Sequence, residues 1–162
     1  MRIVHVIIGL GVGGAELMLK RLIEGLDEEG GIKHSVISLT ELGSIGEHLK
    51  AAGINVIALG MDGPLSVPKA FLKLRSELKL QNPDIVQTWM YHGDFFGGLA
   101  AKTLGIKNII WNVRNTYLKG NGAVNYIFRR LCGFLSYIIP KKVIYVSYLA
   151  QREHLKYGFN KS

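Results

Sequence analysis

The sequence holds one cysteine, Cys132, among 162 residues. No internal disulfide can staple it, and a reducing, cytoplasmic setting is the expectation. It has no run of 18 uninterrupted apolar residues, which argues against a membrane-crossing helix. Met1-Arg2 leads directly into IVHVII without a cleavage-site pattern, so this stretch reads as a strand rather than a leader. The five histidines show no metal-ligand spacing, and no metal is expected. Neither a helix-turn-helix, nor zinc-finger spacing, nor an aromatic RNA-binding strand is present, so nucleic acid is not an expected partner. Repeats, low-complexity tracts and internal linkers are absent too, and the length fits one domain over residues 1–162.

Acid is the scarcest commodity of the second half. Residues 95–162 carry eleven Lys/Arg and a single carboxylate, Glu153, whereas residues 1–94 carry nine Lys/Arg and eleven Asp/Glu. That asymmetry underlies the net charge of +8. It points to a polyanionic partner (nucleic acid, which the motifs disfavour, an anionic lipid surface or a phosphorylated ligand) or to an ordinary solvated basic face.

What is present is an alternation. Strand-length apolar runs at Ile3–Ile8, Ser35–Leu39, Asn55–Leu59, Ile85–Thr88, Asn108–Val113 and Val143–Val146 each precede a segment of helical period. The helices are expected at 15–29, 45–52, 69–81, 95–104, 123–138 and 147–157. This is the pattern of a Rossmann-like, doubly wound α/β fold with a parallel sheet. Its strands read as continuous apolar runs because both faces are covered.

Between the first strand and helix lies GLGVGGAE, with glycines at 9, 11, 13 and 14. Read literally, Gly9-x-Gly11-x-x-Gly14 is a dinucleotide fingerprint. A ribose-binding acid should then follow after about 20 residues, but the nearest candidate, Glu41, comes 27 residues after Gly14. Glu16 also occupies the first helical turn, where it satisfies the helix dipole and opposes a tightly seated anion. Three readings remain: an NAD- or FAD-binding module, a phosphate-facing turn for another ligand, and a glycine turn needed only for packing.

GLGVGGAELMLKRLIEGL resembles the opening of the group 1, family 4 glycosyltransferases of GT-B fold. The resemblance continues through PDIVQTWMYHGDFFGGLAAKTLGI, NIIWNVRNT and VIYVSYLAQREHLKYGF, and so covers nearly the whole chain in order. It implies the N-terminal, acceptor-side domain of a two-domain enzyme that moves a sugar from a UDP- or GDP-sugar to a glycan or lipid-linked acceptor, with retention. It also implies that the C-terminal nucleotide-sugar domain is not in this chain and that the chain alone is inactive. A peripheral place on the inner membrane face, in polysaccharide or glycolipid biosynthesis, goes with that reading.

The site residues follow from strand ends. Gly11, Gly13 and Gly14 are assigned to the donor phosphate loop, where helix N-terminal amides suit an anion. His92, after the fourth strand, is a base or acceptor contact, or else a capping histidine. Family members commonly carry His-x-His at that strand end; this chain has Gln87-Thr88-Trp89. Arg114 and Asn115 end the fifth strand and suit phosphate or sugar hydroxyls. Trp89, Tyr91 and Tyr117 are candidate sugar-stacking rings, or packing. Arg129, Arg130, Lys141 and Lys142 form the expected anion-facing membrane surface.

Overall fold

The computed structural model describes residues 1–27, 31–116 and 122–161. Tyr117 lies outside them, and so does its proposed ring contact. Six strands alternate with helices: β1 (Arg2–Ile7), α1 (Gly14–Asp27), β2 (Lys33–Ser38), α2 (Gly43–Ala51), β3 (Asn55–Ala58) and α3 (Val67–Gln81) come first. There follow β4 (Ile85–Trp89), a helical stretch of α4 (Met90–His92), a π-helical turn (Gly93–Gly97) and α5 (Gly98–Thr103). β5 (Ile109–Val113), α6 (Gly122–Leu135), β6 (Lys142–Tyr145) and α7 (Tyr148–Leu155) complete the chain.

The strands form one parallel sheet in the order β3-β2-β1-β4-β5-β6. β1 is therefore central, between β2 and β4, as in a doubly wound fold of the Rossmann order. Each face of the sheet carries its own core. On one side Ile7, Val36 and Trp89 pack with Leu19 and Ile23 of α1 and Ile45 and Leu49 of α2. On the other, Val4, Val6, Ile37, Ile109, Trp111 and Val113 pack with α3, α5 and Cys132 of α6. In α1 the spacing of Ala15, Leu19 and Ile23 places all three on the buried stripe.

The helix after β4 begins five residues earlier than its periodicity predicts, at Met90 rather than Phe95. Two features hold it there. The Thr88 hydroxyl donates to the buried Asp94 carboxyl over 2.6 Å. Gly93 lies so close to β1 that a Cβ there would stand 2.8 Å from the Val6 carbonyl oxygen. To turn from strand to helix at once, Met90 takes φ +64°, a left-handed conformation costing about 1 kcal/mol or more in a non-glycine residue.

Gly43 is the other position where the backbone dictates the residue. It has φ +60°, and a Cβ would stand 2.6 Å from the Gly11 nitrogen and overlap the Leu10 carbonyl. That contact, with the Ile45 amide donating to Leu10 O over 3.0 Å, lays the glycine loop across the start of α2.

Candidate active site

A parallel sheet presents its strand ends on one edge, and in this strand order the crevice opens beside β1. There Ile8, Gly14, Ala15 and Glu16 from the first loop and helix face Met90, Tyr91 and His92 after β4. Arg114 and Asn115 after β5, Asn125 of α6 and Val146 after β6 close the remaining sides. The cleft has a volume of about 630 Å³. None of its lining residues comes from β2 or α2, because the loop carrying buried Leu10 fills that side.

Gly13 precedes the first residue of α1, and the Glu16 carboxylate folds back against it. The helix N-terminus therefore keeps a carboxylate of its own, while Gly14 is exposed to the cleft. The first amides of such a helix lack intrahelical acceptors and favour negative charge. Gly11 and Gly13 belong to the loop, but Gly14 is the loop glycine that lines the cleft.

His92 packs on the Phe128 ring of α6, with ring centroids 4.4 Å apart, and Phe128 also meets Phe95 edge-on. Burial lowers the His92 pKa below the ordinary histidine value, so the ring is neutral at neutral pH and can accept a proton. Arg114 is partly buried, which draws its pKa down, although a guanidinium keeps its proton at any ordinary pH. Neither Arg114 nor Glu16 has an ion-pair partner among the described residues; the ion pairs are Lys20–Glu24 and Lys156–Glu153. The cleft thus offers a neutral imidazole, a fixed cation, a helix N-terminus that already carries the Glu16 carboxylate, and two amide side chains.

Three assignments change. Trp89 is 1% exposed and sits beneath the cleft in the core, its indole donating to His5 Nδ1 over 3.4 Å; it cannot stack on a sugar. Strand alternation points it, with Ile7, to the α1–α2 side. Tyr91 borders the cleft, but its ring is buried and its hydroxyl bonds His154 Nε2 over 2.6 Å. Since His154 Nδ1 donates to Ala150 O, Nε2 accepts and the tyrosine donates. Desolvation pushes the Tyr91 pKa up to about 12. The hydroxyl is a core strut, not an acceptor contact.

Arg129 is the third. It is 2% exposed, with its guanidinium carbon 4.7 Å from the Tyr157 ring centroid and 5.5 Å from that of Tyr91. Helical phase puts it with Cys132 and Gly133 on the buried face of α6, so it cannot meet a membrane. Arg130, about 100° further round the helix, is exposed, as are Lys141 and Lys142 at the start of β6. Lys141 Nζ donates to Asn108 Oδ1 over 3.2 Å.

The strand-end argument passes over Asn125 and Phe128, because both come from a helix. Asn125, a polar residue within the apolar stretch AVNYIF, is the one visible signal.

The sequence profile of Glycosyltransferase Family 4 matches residues 12–162. Among solved structures, Anabaena HepE in complex with UDP superposes with a TM-score of 0.81 at 15% identity, over 99% of this chain and 42% of its own. UDP-GlcNAc 2-epimerase from Methanocaldococcus jannaschii superposes at 0.69 and 15% identity, over 99% and 44%. Acinetobacter baumannii MurG superposes at 0.66 and 21% identity, over 90% and 41%. At such identities the likeness is one of fold. The chain spans less than half the length of these proteins. No curated protein matches it.

Proposed function

Because the chain belongs to Glycosyltransferase Family 4, we propose that it is the acceptor-side domain of a GT-B enzyme that transfers a sugar from a nucleotide-sugar donor to a glycan or lipid-linked acceptor. The family match over nearly the whole chain carries this reading. UDP-sugar is the favoured donor, since HepE, of the same fold, was solved with UDP and with UDP-glucose; a GDP-sugar is the other candidate. The proposed partner is a second domain that holds the nucleotide, and the proposed site of action is the cytoplasmic face of a membrane. No metal or tightly bound cofactor enters the scheme.

Chemically, the acceptor hydroxyl lies against His92, which takes its proton as the new glycosidic bond forms. The bond between sugar and diphosphate breaks, and its electrons leave with the phosphate. Arg114 faces that developing negative charge. Asn115 and Asn125 hold sugar hydroxyls, and transfer proceeds with retention.

In the longer enzyme, Arg114→Ala and His92→Ala each lower transfer by roughly a hundredfold, Arg114→Ala without lowering the melting temperature. Unchanged kcat/KM in both variants sinks the assignment. The isolated chain should bind UDP or GDP only weakly, so micromolar affinity by calorimetry contradicts the half-enzyme reading. The alternative, a nicotinamide- or flavin-binding module, requires ligand on the β2 side and is tested by fluorescence titration with NADH. A purely ligand-binding module would bind sugars without transfer in the longer protein.

A further inference from the structure

Three unfavourable features lie side by side between Met90 and Gly97. Met90 holds a left-handed φ of +64° although it carries a Cβ. The helix that starts there widens into the π-helical turn at Gly93–Gly97 before it continues as α5. Asp94, inside that turn, is 0% exposed, and its Oδ2 has no hydrogen-bond partner among the described residues. Strain and unpaired buried groups persist only where the surrounding structure enforces them, and they gather at functional sites. π-helical turns do the same.

What they surround is His92, between the left-handed residue and the π turn. Met90, Tyr91 and His92 all border the cleft. A π turn inserts one residue and so offsets the phase of a helix by about 100°. Through that offset one continuous helix shows His92 to the cleft and still buries Gly97, Gly98, Ala100 and Ala101. A single hydrogen bond closes the arrangement. Thr88 Oγ1, in β4, donates to Asp94 Oδ1 over 2.6 Å, which ties the strand end to the π turn across the segment that carries His92. Thr88 is as fully buried as Asp94, so water does not compete for the bond. On its far side the imidazole rests on Phe128 of α6. The titratable or charged groups that line the cleft with it are Glu16 of α1, Tyr91 of its own helix and Arg114 after β5; Asp94 is not among them.

We infer that Thr88 and Asp94 are positioning residues for His92: their hydrogen bond holds the strained turn at Met90 and so keeps the imidazole in the cleft against Phe128. This rests on the reading of His92 as the acceptor base, and it adds two residues that touch no substrate but set where that base stands. Asp94 serves as a hydrogen-bond acceptor and not as a charge, since burial favours its neutral form.

The test separates the hydroxyl of Thr88 from its bulk. Thr88→Val keeps the shape and removes the donor, whereas Thr88→Ser keeps the donor and removes the methyl that faces Gly97. Followed by NMR in this chain, His92 should titrate below 6.5. Thr88→Val should move that titration up toward 6.5, because a released imidazole leaves Phe128 and meets water. Asp94→Ala, which removes the acceptor, should do likewise. Thr88→Ser should leave the titration in place even where its melting temperature falls, and so should Asp94→Asn, which keeps the accepting oxygen. In the longer enzyme, Thr88→Val should lower kcat about tenfold with KM held within about twofold, and Thr88→Ser should restore most of that loss. An unmoved His92 titration in Thr88→Val and Asp94→Ala overturns the inference. So does a kcat that tracks melting temperature, rather than the hydroxyl, across the two Thr88 variants. A shift in Asp94→Asn as large as in Asp94→Ala overturns it as well, because the acid would then act through its charge. If the longer enzyme transfers no sugar, or His92→Ala leaves transfer unchanged, the transferase reading falls, while the NMR titration still decides whether Thr88 and Asp94 hold His92.

Discussion

The buried pair His5 and His34 ties stability to pH. His5 is fully buried in the centre of the sheet, with its Nε2 3.0 Å from His34 Nδ1 and its Nδ1 accepting from the Trp89 indole. The indole can only donate, so His5 carries its proton on Nε2 and donates to His34. A second proton on His5 would have no acceptor to meet. Desolvation, with His34 adding a smaller effect, lowers the His5 pKa from 6.5 to about 3. In the unfolded chain the same ring titrates near 6.5. Between these values the unfolded state binds more protons, so stability rises with pH. The contribution is complete above pH 6.5 and is lost as pH falls from there toward 3. From pH 7.5 to 5.0 the loss is about 2 kcal/mol, equivalent to a fall in Tm of roughly 4–8 °C for a domain of this size. His92 and His154, both lowered by burial, add to the same slope. Asp94, raised by burial, opposes it. The decisive measurement is therefore a difference: urea unfolding of the native chain and of His5→Leu at several pH values between 5.0 and 7.5. The variant is less stable throughout, because Trp89 and His34 lose a partner, but its slope with pH is flatter by the His5 contribution. Parallel slopes, or a His5 ring seen by NMR to titrate near 6.5 in the folded protein, would refute the reasoning.

Other expectations follow from single contacts. Gly43→Ala combines a left-handed φ with overlap on the Leu10 carbonyl and should cost about 3 kcal/mol or more in chemical denaturation; a loss under 1 kcal/mol would show that the glycine loop is free to shift. Arg129→Ala, at a buried cation over two tyrosine rings, should lower stability by about 2–4 kcal/mol, whereas Arg130→Ala should be close to neutral. Equal effects would contradict the phase of α6. Asp94→Asn mimics the protonated acid that burial favours. The native carboxyl contributes stability below its unfolded pKa of 3.8 that is lost as pH rises toward the higher folded value. The variant should therefore gain on the native chain as pH rises above 4, and a gain that does not grow with pH refutes the assignment.

Much of this architecture is local information. The apolar runs and the helical periods between them mark all six strands and the doubly wound class, because parallel strands buried on both faces need continuous hydrophobicity and right-handed crossovers restrict the topology. The strand ends likewise nominate Gly14, His92, Arg114 and Asn115, which the fold brings to one cleft. Side-chain direction is a different matter. Arg129 and Arg130 are indistinguishable in a string of residues, yet a turn of 100° sends one over Tyr91 and Tyr157 and the other to solvent. Trp89 reads as a strand-end aromatic until the pleat turns it onto His5. The early start of the helix at Met90 depends on Thr88 reaching Asp94 and on the nearness of Gly93 to Val6, contacts between residues up to 87 positions apart. The sequence alone determined which elements form and in what order they follow along the chain, since backbone hydrogen bonding and hydrophobic periodicity are properties of short segments. Only the tertiary structure decided which face each element turns to the core, because that depends on what stands opposite.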